Sequence, residues 1–271
     1  MTNQELVSFL YRNAIPLADI RLIMEGVFQV DFDRLGIIGS EGNIPQEKAK
    51  QLLQQLQDGY PAAYLAGYDV IRGLKIYLTP DVLIPRTETI DFLYGYLFTN
   101  FDLSHKKVLD LCTGSGVIAL AIKNTFPSAD VTASDISKMA LALAKKSALL
   151  NHLDVRFVAS DFLASVPGAF DVIVSNPPYI EEGAKGVVAK REPPLALYSG
   201  KDGLDSYRAI FKALGSHLNE KGLAFFELEA NKGEAVSKLF LADYPQGYSL
   251  KVLPDMESKE RYLQISKQTI V

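Results

Sequence analysis

An α/β fold, in which a doubly wound parallel sheet follows a small helical bundle and a β-hairpin connection, is predicted by three features of this sequence. From Lys107 onward, short apolar runs of strand length alternate with stretches of helical periodicity, the pattern of a parallel sheet covered by helices. The first 58 residues read as helices alone. Between Gly59 and Pro85, Tyr, Ile and Val cluster around Gly67 and Gly73, as in a hairpin or extended connection.

Taken in order, Thr2 and Glu5 have the spacing of a capping box ahead of Leu6, Phe9 and Leu10 on one helix face. Pro16 opens a second helix carrying Leu17, Ile20, Met24, Val27 and Phe28. A shorter piece holds Phe32, Leu35 and Ile38 before the glycine-rich break at Gly39 to Gly42. Pro45 begins a segment whose Ala49, Leu52, Leu53 and Leu56 share a face. These stripes are read as the core of a small bundle. In the second part, strands are expected at 108–111, 131–134, 155–158, 172–174 and 223–228. Helices are expected at 116–126, 137–150, 207–218 and 235–241, and two final strands at 248–253 and 261–265.

Composition narrows the class. With 271 residues, 48% hydrophobic and 22% charged, the chain has enough apolar material for a sizeable core and room for two domains. The net charge of −4 is spread evenly: 7 basic and 9 acidic residues up to Pro80, 21 and 23 after it. No basic arm marks a nonspecific nucleic-acid binder, so a protein or small-molecule partner is expected. The single Cys112 permits no internal disulfide and suits a reducing compartment. Neither a signal peptide at Met1–Glu5 nor an apolar run of about 18 residues is present, so a cytoplasmic protein without membrane contact is expected. His105, His152 and His217 are scattered, and no metal site is expected.

The first motif is Asp110-Leu-Cys-Thr-Gly-Ser-Gly116, between a strand and a helix. Gly114 and Gly116 allow a tight turn and close approach to a ligand, where a Cβ would intrude. Asp135 ends the next strand, placed to accept hydrogen bonds from ribose hydroxyls. Together they indicate an adenosine-type nucleotide. The turn does not choose between NAD and S-adenosylmethionine, since Gly114, Gly116 and Ala119 also match the dinucleotide fingerprint. Glycines that merely turn the chain remain a third reading.

The second motif is Asn176-Pro177-Pro178-Tyr179, directly after an apolar strand. Two prolines fix two φ angles and remove two amide donors, leaving a stiff loop of outward carbonyls. Asn176 Oδ1 and the Pro177 carbonyl are a pair of acceptors for the two hydrogens of a planar NH2 group. Holding both turns the nitrogen lone pair out of the plane, toward a methyl carbon on a sulfonium. Tyr179 can stack on the flat group. Asn-Pro is also a common turn former, but this loop follows the fourth strand, beside the crevice where such sheets bind ligands.

The whole chain resembles the bacterial peptide-chain release factor N5-glutamine methyltransferases, the HemK/PrmC family. The resemblance rests on Pro61-Ala-Ala-Tyr-Leu-Ala-Gly67, Val82-Leu-Ile-Pro-Arg-Thr-Glu88, Asp110 to Gly116, Ser160-Asp-Phe162, Asn176 to Tyr179, Glu192-Pro-Pro-Leu-Ala-Leu197 and Lys201-Asp-Gly-Leu204, in family order. It implies a helical substrate-recognition domain with its hairpin over residues 1–75. A Rossmann-like class I S-adenosylmethionine methyltransferase domain would follow over 76–271. Cys112, Thr113, Gly114, Ser115 and Gly116 would wrap the methionine moiety, with Asp110 joining the cofactor site. Asp135 would hold the ribose, Phe162 would flank the adenine, and Asp161 would lie near its amino group. Asn176, Pro177, Pro178 and Tyr179 would grip the substrate glutamine, with Asn176 also bordering the cofactor. The implied target is the glutamine of a Gly-Gly-Gln tripeptide in class I release factors, and the implied product is S-adenosylhomocysteine.

The chain departs from the family pattern at several positions. Thr87 and Ile90 stand where proline and glutamate are usual, Cys112 where glycine is common, and Phe162 where tryptophan is common. Glu227-Leu-Glu229 lacks a third-position glycine, and Asp255 to Arg261 departs from the usual tail. Other readings are a ribosomal-protein glutamine methyltransferase, a nucleic-acid adenine methyltransferase acting on a flipped base, and a non-catalytic cofactor-binding relative. The acidic balance counts against the second, and the intact Asp135 and Asn176 against the third.

Overall fold

The structure is a computed structural model that describes residues 1–184 and 191–268. The chain forms two compact units, Met1–Pro80 and Asp81–Val271.

The first unit is helical with one hairpin. Helix α1 (Asn3–Arg12) starts on the expected capping box: Glu5 N donates to Thr2 Oγ1 at 3.2 Å, and Thr2 N to Glu5 Oε2 at 2.7 Å. Helix α2 (Leu17–Gly26) follows Pro16, and a short α3 (Leu35–Ile38) precedes α4 (Gln46–Gln57), which follows Pro45. Leu6, Leu10, Ile20, Met24, Ala49 and Leu52, assigned to the core by periodicity, bury their side chains together with Ile23, whereas Leu17, expected on the same face, is exposed. Residues 62–66, expected to be extended, instead form a helical turn, α5 (Ala62–Ala66), ended by Gly67 at φ 80°. Gly26 makes room for it: a Cβ there would sit 2.6 Å from Ala66 Cβ. Strands β1 (Tyr68–Ile71) and β2 (Leu74–Tyr77) pair antiparallel across Arg72 and Gly73, both at positive φ, which suits a two-residue hairpin turn.

The second unit opens with a helical segment that periodicity did not mark: α6 (Thr87–Asp91), a π-helical stretch at Phe92–Leu97, and α7 (Phe98–Asn100). Its buried residues, Thr89, Ile90, Phe92, Leu93 and Leu97, lie on one helical face, but the polar Thr89 starts that stripe and Gly95 interrupts the segment, so the apolar signal is weak. Next come β3 (Lys107–Leu111), α8 (Val117–Thr125), β4 (Asp130–Asp135), α9 (Lys138–Leu150), β5 (Arg156–Ala159) and β6 (Phe170–Ser175). Helix α10 (Asp205–His217), β7 (Leu218–Glu227), α11 (Gly233–Asp243), β8 (Tyr248–Pro254) and β9 (Glu260–Lys267) complete it.

Seven strands form one sheet in the order β5-β4-β3-β6-β7-β9-β8. The five from β5 to β7 are parallel, as expected. The last two correct a purely parallel reading: β9 inserts between β7 and β8 and runs antiparallel to both. β7 also begins five residues earlier than the apolar run suggested, directly after α10, with an irregular register opposite Phe170 and Val172. The chain winds from β3 outward to β5, then returns to the other side of β3 for β6. That reversal opens a crevice at the carboxyl ends of β3 and β6. Among the described residues no helix is long and apolar enough to cross a membrane.

Gly116 caps α8 at φ 87°, and a Cβ there would lie 2.8 Å from Ala144 Cβ on α9. Its smallness therefore serves contact between two helices. Gly116→Val should destabilise the protein by about 2 kcal/mol or more, through strain and overpacking. Urea unfolding measures this, and an unchanged midpoint would contradict the packing role.

Candidate functional site

Three loops meet at the crevice, each stiffened by a side chain at a strand end. After β3 the chain turns through Cys112 (φ 63°), Gly114 (φ 54°) and Gly116. Positive φ at Cys112 explains why glycine would be comfortable there. Asp110 is fully buried beneath the turn; its Oδ2 accepts from Thr113 Oγ1 at 2.5 Å and from Ala119 N at 2.9 Å. These bonds tie the end of β3 to the first turn of α8. Asp110 Oδ1 has no partner among the described residues, and burial pushes the carboxyl up to about 7.

Asp135, at the end of β4, closes the turn from the other side. Its Oδ2 accepts Gly114 N at 2.8 Å, and its Oδ1 accepts Ser137 N at 2.8 Å. Burial raises its pKa, while the amides of Ser137, Gly114 and Ile136 pull it back. Each carboxylate oxygen keeps a second lone pair for a donor in the crevice. A Cβ on Gly114 would meet nothing within 4 Å, so the backbone here faces open space. Ser160, Asp161 and Phe162 border the same cleft, with Phe162 at φ 44°. Cys112 lines it too, but burial and the neighbouring aspartates push its thiol far up, so it carries no thiolate nucleophile.

The third loop follows β6. Asn176 Nδ2 donates to Thr89 Oγ1 at 3.3 Å, and Thr89 Oγ1 donates to Glu227 Oε2 at 2.6 Å. The other carboxylate oxygen, Glu227 Oε1, accepts from the Tyr179 hydroxyl at 3.3 Å. Asn176 Oδ1 has no donor among the described residues. Burial pushes the Tyr179 hydroxyl well up, so it remains protonated. Burial likewise raises Glu227 to about 7, against the pull of the Thr89 and Tyr179 hydroxyls. Pro178 borders the main cleft, whose volume is about 210 Å³. Pro177 and Tyr179 border a smaller pocket of about 50 Å³. Asn176, Leu83, Arg86 and Ala196 border both, so the Asn176 amide stands in the wall between them.

Two further contacts frame this wall. Glu192 accepts Arg86 Nη2 at 2.6 Å and Ile84 N at 3.1 Å, joining segment 82–88 to segment 192–198. Ile180 and Tyr198 form a parallel bridge, with Ile180 N donating to Leu197 O at 2.8 Å. At Gly203 a Cβ would lie 2.3 Å from the Tyr179 carbonyl oxygen, so glycine there lets the loop seat.

Comparison with known proteins places this geometry. A sequence model of the methyltransferase small domain family matches residues 87–192. A release factor glutamine methyltransferase of Deinococcus radiodurans is 33% identical over 254 residues, covering 92% of this chain and 90% of its own. The chain belongs to the release factor glutamine methyltransferase family. The family enzyme of Streptococcus pneumoniae is 34% identical, with 89% of this chain and 84% of its own covered. A methyltransferase of Pyrococcus furiosus of known structure, 20% identical, superposes with a TM-score of 0.55 over 83% of this chain and 100% of its own. At that identity the likeness speaks to the fold.

Of the residues singled out in the sequence, Cys112, Thr113, Gly114, Ser115, Asp135, Asp161, Phe162, Asn176 and Pro178 border the main cleft. Pro177 and Tyr179 border the smaller pocket, and Asp110 and Gly116 lie behind the turn. The motifs gave no role to Thr89 or Glu227, nor to the pairing of Arg86 with Glu192. Those pairs are 138 and 106 residues apart, and only the fold joins them.

The raised carboxyl of Asp110 has a consequence for stability. The folded chain favours its neutral form, so its contribution is full below about pH 4 and is lost as pH rises through about 7. Unfolding free energy should thus fall between pH 5 and 8, by on the order of 2 kcal/mol from this group. Asp110→Asn keeps an acceptor for Thr113 and Ala119 and should flatten that slope in urea titrations. An identical slope in the variant would refute the assignment.

Proposed function

We propose that this chain transfers a methyl group from S-adenosylmethionine to the side-chain amide nitrogen of a glutamine, the one in the Gly-Gly-Gln tripeptide of class I peptide-chain release factors. The observation that carries the reading is Asn176 Oδ1, without a donor among the described residues, held beside Pro177 in the wall between a large cleft and a small pocket. The relatives named as release factor glutamine methyltransferases support the same substrate.

The cleft suits this cofactor by shape and charge. Asp135 offers lone pairs for ribose hydroxyls, and the Gly114 backbone leaves room for a ligand to approach. Asp81, Asp135 and Asp161 line the cleft with Arg86 as the basic residue among its described lining. Such a surface favours a cationic sulfonium and opposes the diphosphate of a dinucleotide, which weighs against NAD. Phe162 would stand against the adenine, with Asp161 toward its amino group. Cys112, Thr113, Gly114 and Ser115 would run along the methionine moiety. When bound there, S-adenosylmethionine supplies an electron-poor methyl carbon on a good leaving group.

What the chain's own residues contribute is alignment. The small pocket would take the glutamine amide, with Tyr179 against its flat face. Asn176 Oδ1 and the Pro177 carbonyl would each accept one of its N–H hydrogens. Bonding both hydrogens in that geometry sets the nitrogen lone pair, normally delocalised into the amide, toward the methyl carbon. No strong base is needed, because the nitrogen becomes acidic on methylation and releases a proton to water. The helical unit, read from the sequence as residues 1–75, is proposed to recognise the release factor.

Incubation with labelled S-adenosylmethionine and purified release factor, ribosomal proteins or DNA, followed by peptide mapping, tests the reading. Label on the Gly-Gly-Gln glutamine is expected; label confined to ribosomal protein or DNA would overturn it. Asn176→Ala should lower turnover by about 100-fold or more with cofactor affinity largely intact. Asp135→Ala should weaken cofactor binding by about tenfold or more, read by calorimetry. Unchanged values for either would remove that residue from its role.

A further inference from the structure

We propose that Thr89 and Glu227 are positioning residues that decide which end of the Asn176 amide faces the cleft. The inference rests on the reading of Asn176 as an acceptor for the substrate NH2 group. A side-chain amide is nearly symmetric in shape, and turning it over exchanges an acceptor for a donor. With its NH2 end in the cleft, Asn176 would oppose the substrate NH2 rather than hold it.

The three residues form a relay with one allowed direction. An ionised carboxylate only accepts, so the Thr89 hydroxyl must give its hydrogen to Glu227 Oε2, 2.6 Å away. Thr89 Oγ1 is then left with lone pairs, and the group it receives, at 3.3 Å, must be the donor end of Asn176. Oδ1 is thereby assigned to the cleft. Glu227 Oε1 meanwhile accepts from Tyr179, so one carboxylate orients both ends of the Asn176–Tyr179 loop. A buried, ionised glutamate is costly, and among the described residues its carboxylate accepts from these two hydroxyls alone.

The anchor points of the relay are themselves held. Tyr262 on β9 donates its hydroxyl to the Glu88 carbonyl at 2.7 Å, and its ring stacks on Phe92, fixing α6 on both sides of Thr89. Tyr207 on α10 donates to the Glu227 carbonyl at 2.6 Å. The charged and titratable groups facing the Glu227 carboxyl are Tyr179 from the loop after β6, Glu88 from α6, Arg261 and Tyr262 from β9 and Tyr207 from α10. Arg261 favours its ionised form, Glu88 and burial oppose it, and the balance leaves it near 7. When protonated, Glu227 can donate to Thr89, whose hydrogen is then free for Asn176 Oδ1. The amide turns over and the acceptor leaves the cleft. Turnover should therefore fall as pH is lowered through about 7.

The experiment compares Thr89→Val, Thr89→Ser and Glu227→Gln with the wild type, using release factor as substrate. Thr89→Val should lose about tenfold or more in kcat, with the cofactor Kd within about threefold, showing the fold intact. Thr89→Ser, which restores the hydroxyl, should return kcat to within about threefold of wild type. Glu227→Gln should lose the acidic limb of the kcat profile. As a readout independent of turnover, the side-chain amide NMR signals of Asn176 should titrate near pH 7 in the wild type and not in Glu227→Gln. Wild-type kcat in Thr89→Val, an equal loss in Thr89→Ser, or amide signals that do not move between pH 5 and 8 would each overturn the proposal. A wild-type enzyme that transfers no methyl to release factor would instead overturn the functional reading, and the NMR arm would still test the relay.

Discussion

A carboxyl group withdrawn from water must be met by hydrogen-bond partners, and that demand organises the carboxyl edge of this sheet. Three strands carry such a group at or next to their last residue. Asp110 in β3 gathers the Thr113 hydroxyl and the Ala119 amide; Asp135 in β4 gathers the amides of Gly114 and Ser137; Glu227 in β7 gathers the hydroxyls of Thr89 and Tyr179. In each case the donors lie on connecting segments rather than on the strands. The loops that border the cleft are thus held by acids anchored in the most rigid part of the fold.

The three acids differ in what they leave exposed. Asp110 is sealed off and ties β3 to the turn and to α8. Asp135 keeps lone pairs toward the cleft and can serve both turn and ligand. Glu227 is buried but linked outward through Thr89 to Asn176. The sealed Asp110 on β3 therefore lies between two acids, Asp135 on β4 and Glu227 on β7, that are connected to the cleft, with the same chemistry at each.

Much of this was legible in the sequence because it is local. The glycine turn, the acid 19 residues beyond it and the Asn-Pro-Pro-Tyr loop are short patterns whose geometry follows from φ restrictions and donor counts. Alternating periodicity likewise located the parallel strands and their helices. Periodicity carries no strand direction, so the antiparallel entry of β9 between β7 and β8 was hidden. Thr89 is a polar residue on the buried face it shares with Ile90, Leu93 and Leu97, so an apolar pattern did not single it out. The packing of Gly116 against Ala144 had no local signature either, because a turn glycine and a packing glycine look alike in sequence. The link from Thr89 to Glu227 spans 138 residues and has no local signature at all.

The late position of β9 also bears on how the molecule matures during synthesis. Its Tyr262 clamps the Glu88 carbonyl across 174 residues, and its backbone completes the sheet beside β7. A nascent chain exposes its cleft-lining turn well before that strand leaves the ribosome, yet the helix start that steers residue 176 lacks its clamp until then. Ordering of this wall of the cleft is thereby tied to the synthesis of β9, because a contact across 174 residues closes late.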